Sequence, residues 1–202
     1  MRVSRRAVRG FSMLELVIVV AMSLVVAAIA VPNFMTVIFN FRLRGAMSSL
    51  SGLLQNCRMT AVQKNTIMTS EFGVLPPGGP VAYIKHAGDT SAMAATDPQV
   101  QLGSPLTQIT TPSGTGAPSA LDSTTLGFTP LTYQPSSYLP GFNSRGLPCK
   151  WDVSTSVCST GVGYVFYFTD SRPLGKSGWA AVTISPAGRV KTWSWNGANW
   201  VN

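Results

Sequence analysis

One carboxylate, Glu15, lies inside an otherwise apolar run, and no charged residue occurs between Leu16 and Phe41. A carboxylate in such a span costs ~2.5–3.5 kcal/mol even on lenient insertion scales, so it calls for a purpose and a partner. A second group lies at the other end of the chain. From Ser171 to Asn202 the cations Arg172, Lys176, Arg189 and Lys191 occur with no acid, interleaved with Trp179, Trp193, Trp195 and Trp200. Cations beside exposed aromatic rings suit phosphate contact and base stacking, so these four are candidate DNA contacts. If the tryptophans are core residues, Arg189 and Lys191 are instead solubilising charges on one face of a hairpin. Of the three cysteines, Cys149 and Cys158 are near enough in sequence, flanked by Pro148 and Gly161, to close a short disulfide loop in an oxidising compartment, leaving Cys57 unpaired.

Other chemistry is poorly provided for. The chain has one histidine, His86, and seven acids spread singly. It has no Gly-rich phosphate loop, no G-x-S-x-G and no CxxC. No constellation for acid–base, nucleophilic or metal chemistry emerges, so the expectation is a non-enzyme without cofactor or metal. Asp170-Ser171-Arg172 reads as a turn with a local salt bridge.

The elements that must hold these groups begin with a basic leader. Arg2, Arg5, Arg6 and Arg9 precede the apolar run; without them the formal charge of +8 falls to 11 basic against 7 acidic residues, which weakens a chain-wide case for nucleic acid. As a helix, residues 11–31 rise about 31 Å, enough to cross a bilayer core. The arginines favour a cytoplasmic N-terminus with the remainder outside. Two readings follow. In one, Ala28-Ile29-Ala30 is a signal-peptidase site and a soluble periplasmic β-domain starts at Val31. In the other the segment is retained, because apolar character continues through Phe34, Val37, Ile38, Phe39 and Phe41. Glu15 has no use in a discarded signal. Pro32 then interrupts one hydrogen bond and kinks the helix.

Beyond it, Leu43, Met47, Leu50, Leu54, Cys57 and Ala61 recur at spacings of 4, 3, 4, 3 and 4, one apolar stripe on a helix reaching about Lys64. Arg42, Arg44, Arg58 and Lys64 lie off the stripe. Cys57 is then a buried, inert thiol. β-like runs follow at 66–72, 81–85, 106–110, 124–129, 163–169, 179–185 and 189–195, separated by turn signals such as Pro76-Pro77-Gly78-Gly79 and Pro186-Ala187-Gly188. Val165-Phe166-Tyr167-Phe168 predicts a strand buried on both faces, and the last two runs a hairpin. Residues 87–123 predict a long loop with at most short strands. The expected fold class is α+β: a long N-terminal helix over 11–64, transmembrane about 11–34, packed on a C-terminal antiparallel β-domain over 65–202.

Gly10-Phe11-Ser12-Met13-Leu14-Glu15, with the basic leader, apolar span and Pro32, resembles the class III signal of type IV pilins and type II secretion pseudopilins. The resemblance implies a leader over 1–10, cleavage by a prepilin peptidase between Gly10 and Phe11, and N-methylation of Phe11. It places Glu15 fifth in the mature chain, where it neutralises the amine of a neighbouring subunit during assembly. Phe142-Asn143-Ser144-Arg145-Gly146-Leu147-Pro148-Cys149, Thr169-Asp170-Ser171-Arg172 and Ala181-Val182-Thr183-Ile184-Ser185-Pro186-Ala187-Gly188-Arg189-Val190 with the Trp-rich end resemble the GspH/FimT minor pilins and pseudopilins. The implied chain is a single-pass inner-membrane subunit with a periplasmic domain, incorporated with other pilins or pseudopilins into a secretion pseudopilus or type IV pilus, where it serves assembly, priming or tip formation. FimT-type proteins are associated with DNA capture through Gly-Arg-x-Arg; here Gly188-Arg189-Val190-Lys191 carries lysine last, which keeps a phosphate contact but loses the bidentate fork.

Overall fold

The computed structural model describes residues 11–74, 79–94, 96–103, 106–114, 116–133, 138–172 and 177–202. The leader with Gly10, the Pro76-Pro77-Gly78 part of the expected turn, and Lys176 lie outside the described residues. The chain divides into two compact units, the first ending at Phe39 and the second spanning Asn40–Asn202.

Helix α1 (Met13–Gln63) contributes to both units and stays helical through position 32. Ser12 caps its start, accepting from the Glu15 N–H at Oγ (3.1 Å) and from the Leu16 N–H at its carbonyl (3.2 Å). At the other end Asn65 takes a left-handed φ of 49°. The Thr66 N–H donates to Ala61 O and the Asn65 N–H to Val62 O, the paired bonds of a Schellman stop in which asparagine replaces the usual glycine.

Among the described residues, twelve strands form two sheets. The first has the order β3 (Gln99–Gln101), β2 (Pro80–His86), β1 (Met68–Val74), β6 (Leu139–Phe142), β7 (Pro148–Asp152), β8 (Val157–Thr160), antiparallel throughout. The second has the order β12 (Trp200–Val201), β11 (Val190–Trp195), β10 (Ser177–Ile184), β9 (Gly163–Ser171), β4 (Leu106–Ile109), with β5 (Pro130–Thr132) running parallel to β9. The hairpin β10–β11 pairs Ile184 with Val190 and Ala180 with Ser194. The fold class is α+β, with the 40–63 part of α1 packed on antiparallel sheets.

The core follows from the periodicities. Leu43, Met47, Leu50, Leu54, Cys57 and Ala61 all enter one cluster with Phe142, Tyr164, Phe166, Phe168, Val182 and Ile184. Alternate residues of β9, Val165 and Tyr167, face a second cluster with Leu121, Ala181 and Trp193. Strand β9 is thus buried on both faces, and the polar groups there are bonded: the Leu121 N–H donates to Tyr167 Oη (2.8 Å), and Trp193 Nε1–H to Thr183 Oγ1 (2.9 Å).

One expected element is overturned. Residues 124–129 do not form a strand; α2 (Ser123–Leu126) is a single helical turn there. Asp122 caps it by accepting from the Thr125 N–H (2.8 Å), and Gly127 closes it at φ 76°. Local capping overrides the β-propensity of the two threonines. Strands β5, β6, β7, β8 and β12 were not expected, while β3 is one of the short strands the 87–123 segment allowed; β6 contains Pro140 and Gly141, residues depleted in strands.

Cys149 and Cys158 are joined by a disulfide across the β7–β8 hairpin, with Cα atoms 5.4 Å apart. The loop is short, so the crosslink removes little chain entropy from the unfolded state. Cys149→Ser combined with Cys158→Ser is expected to lower unfolding free energy by about 2–3 kcal/mol, read from guanidinium titration of the full chain in detergent. Coincident midpoints for the variant and the oxidised protein would show the bond to be energetically idle.

Candidate functional site

Two regions concentrate the candidate residues, and each lies in a different unit. In the first unit, every side chain described from 11 to 37 is exposed. The helix is long and apolar enough to cross a membrane, and its most apolar stretch buries nothing within the chain. Phe11 is 75% exposed and Leu14 72%, values that in water would waste roughly 1.5–3 kcal/mol per large side chain. An exposed apolar surface of this length is consistent with a single membrane span. Polar side chains inside it turn back on the helix: Ser23 Oγ donates to Val20 O (2.8 Å) and Asn33 Nδ2 to Ile29 O (3.2 Å).

Glu15 sits in the first turn of α1. Its N–H is bonded by Ser12 Oγ, so Ser12-Met13-Leu14-Glu15 forms the serine half of an S-x-x-E capping box. The sequence reasoning missed this, although the spacing was visible. The carboxylate therefore has a local reason to be where it is, since a negative charge at a helix N-terminus is favourable. That reason is compatible with a second role toward another chain.

In the second unit the C-terminal candidates separate. Arg172 Nε donates to Asp170 Oδ1 at 2.9 Å, and both side chains are largely buried. Asp170 Oδ1 also accepts from the Gly178 N–H. A Cβ at Gly178 would collide with the Arg172 guanidinium and the Asp170 carboxylate, so this close approach requires glycine. Among the described residues this is the one ion pair. Arg189 is exposed, and Lys191 Nζ lies 5.6 Å from the Trp193 ring. The tryptophans divide between the interior and the surface. Trp179 and Trp193 are buried, while Trp200 packs on Trp195 and Tyr167 and donates to Ser119 O (2.8 Å).

Arg58, read from the sequence only as a cation off the helix stripe, ties three segments together. Its Nη1 donates to Gly188 O at 3.0 Å. Gly146 (φ 73°) and Gly188 (φ 79°) are both left-handed and buried, and a Cβ on either would press on the Arg58 side chain. The 143–147 turn is held by Asn143 Oδ1, which accepts from the Arg145 and Leu147 N–H groups, 3.0 Å each. Arg145 and Arg189 flank the two glycines on the exposed side.

No protein-family model, curated protein or solved structure matches the chain. The functional reading therefore rests on the geometry together with the sequence motifs. Among the described residues no three histidines, cysteines or acids come together as a metal site.

Cys57 has no exposed surface, and burial pushes its thiol from 9.0 up to about 12. At pH 8 about one molecule in ten thousand would carry the thiolate, the reactive form. A thiol reagent at pH 8 is expected to label no cysteine in the native chain and one in denaturant; native labelling at a free-thiol rate would refute the burial. The linkage has a definite sign. Between pH 9 and 12 the folded thiol keeps a proton that the unfolded one has lost, so stability complete below pH 9 falls as pH rises through that window, by at most about 1.4 kcal/mol per unit.

Proposed function

We propose that the chain is a membrane-anchored structural subunit of the minor pilin or pseudopilin kind, whose N-terminal helix is a bilayer span before assembly and part of a filament core afterwards. The observation that carries this reading is the apolar segment 11–37, whose described side chains are all exposed, with Glu15 as its one charged residue. A helix of this kind borne by a β-rich domain suits the resemblance of Gly10–Glu15 to a class III prepilin signal. The leader arginines put the N-terminus in the cytoplasm and the Asn40–Asn202 unit in the periplasm, where the Cys149–Cys158 disulfide is stable.

Assembly explains why Glu15 is retained. Cleavage before Phe11 creates a cationic amine in the apolar layer, and the carboxylate of a neighbour neutralises it. Two opposite charges in low dielectric are strongly preferred to two isolated ones, and the pair fixes axial register even where its net energy is small. The partners are a prepilin peptidase and other pilins or pseudopilins, in a type II secretion pseudopilus or a type IV pilus. DNA capture draws less support: Arg172 is occupied by Asp170, and Trp179 and Trp193 are withdrawn into the interior.

Mass spectrometry of the chain made in a host with a prepilin peptidase tests the reading. The expected N-terminus is N-methylated Phe11; one at Val31 would sink it. Glu15→Val is expected to leave membrane insertion intact and to lower recovery in sheared filaments by about tenfold or more, the effect of losing ~1.4 kcal/mol of subunit association. Normal incorporation of that variant would remove the assembly role.

A further inference from the structure

Beside the Arg58 junction lies a groove of about 500 Å³ between the last turns of α1 and the start of β11, within the Asn40–Asn202 unit. Its lining includes Gln55, Arg58, Met59, Val62, Arg189 and Val190, with no carboxylate. Met59 is 59% exposed and Val62 49%, an apolar strip on the outer side of a helix whose other side is already core. The two guanidiniums are not neutralised, since the one ion pair among the described residues lies elsewhere. One Arg58 donor is spent on Gly188 O, which holds that side chain in place beside the exposed Arg189. A guanidinium offers five N–H donors in a planar fork, so the remainder are available at a fixed position.

We propose that this groove docks a segment of another polypeptide in which an acidic side chain is flanked by aliphatic ones. The carboxylate sits against Arg58 and Arg189, and its aliphatic neighbours cover Met59, Val62 and Val190. Charge complementarity selects an anion, and the apolar strip selects the kind. A lone inorganic anion would leave Met59 and Val62 in water. A nucleic-acid strand would meet no aromatic ring among these lining residues on which to stack a base. The volume lies in the range of sites that enclose a few side chains. This inference concerns the second unit alone and does not rest on the assembly reading of residues 11–37.

The test uses the full chain in lipid nanodiscs and fluorescence anisotropy, with empty nanodiscs subtracted. The probes are a labelled hexapeptide alternating leucine and glutamate, its leucine–glutamine counterpart, and a labelled single-stranded oligonucleotide. The glutamate peptide is expected to bind at least about tenfold tighter than the glutamine peptide, a margin in keeping with loss of a charge-assisted contact. Arg189→Gln, at an exposed position, is expected to abolish that margin. Met59→Glu, also exposed, is expected to weaken the glutamate peptide by a similar factor while leaving the unfolding midpoint unchanged. Equal binding of the two peptides would overturn the proposal. So would absence of saturable binding by the glutamate peptide, or an oligonucleotide that binds in its place with the same sensitivity to Arg189→Gln.

Discussion

Strand β9 is where the packing of the second unit is decided. Tyr164, Phe166 and Phe168 point to one side, toward the apolar stripe of α1, and Val165 and Tyr167 point to the other, beneath Trp193 and Leu121. A strand buried on both faces tolerates no register slip, because a shift by one residue exchanges the two sets of side chains. The antiparallel pairing with β10, from Ser177↔Ser171 to Ile184↔Tyr164, carries that constraint to the next strand, and the β10–β11 hairpin carries it to Trp193. The backbone donor of Leu121 on Tyr167 Oη closes the outer cluster without leaving a polar group unpaired. Of the four tryptophans near the C-terminus, Trp179 and Trp193 are thereby committed to the interior, while Trp195 and Trp200 stay partly exposed.

The same helix answers to two environments. From Leu43 to Ala61 its apolar residues face one direction and are buried, and the rest of the circumference is polar or charged apart from residues such as Met59 and Val62. From Phe11 to Val37 apolar residues occupy the whole circumference, and none of the side chains described there is buried. A helix apolar all round belongs in lipid or in a bundle, whereas a striped one belongs on a sheet. The change in pattern therefore separates a stretch apolar enough to span a membrane from one that packs on sheets. Ser12 at the start and Asn65 at the end satisfy the termini by local hydrogen bonds, so neither half depends on the other for its caps.

How much could be read beforehand follows from the reach of each signal. The stripe from Leu43 to Ala61 and the β9–β11 runs were legible because burial imposes a period on consecutive residues. Strands β6, β7 and β8 were not, since Leu139–Phe142 holds a proline and a glycine and Val157–Thr160 is an exposed edge with little apolar pattern. Their pairing depends on partners distant in sequence, such as Met68 opposite Phe142. The segment at Ser123 misled because Thr124 and Thr125 favour strands while Asp122 and Gly127, read together, specify a capped turn. At the sites, the Asp170–Arg172 ion pair was legible from a spacing of two, although Asp170 and Ser171 end strand β9 and do not form the expected turn, and the S-x-x-E box at Ser12 was equally visible but unread. The role of Arg58 was invisible, because its partner Gly188 lies 130 residues away.

That contact bears on what motif resemblance can mean here. The stretches Phe142–Cys149 and Ala181–Val190 suggested a family, and their glycines meet at one arginine of the helix. Asn143 accepts two backbone N–H groups within its own turn, Gly146 and Gly188 adopt left-handed backbone, and a Cβ on either would press tightly on Arg58. Each of these residues is explained by the geometry of a turn pressed on a helix. Residues so explained are fold determinants, and their recurrence in another protein would argue for the same packing more strongly than for the same ligand. Arg145 and Arg189 stand apart from that explanation. Their backbones close the two turns, through Arg145 N–H on Asn143 Oδ1 and Arg189 N–H on Ser185 Oγ, but both residues are exposed, so selection for a partner has more freedom to act on their side chains than on the glycines beside them.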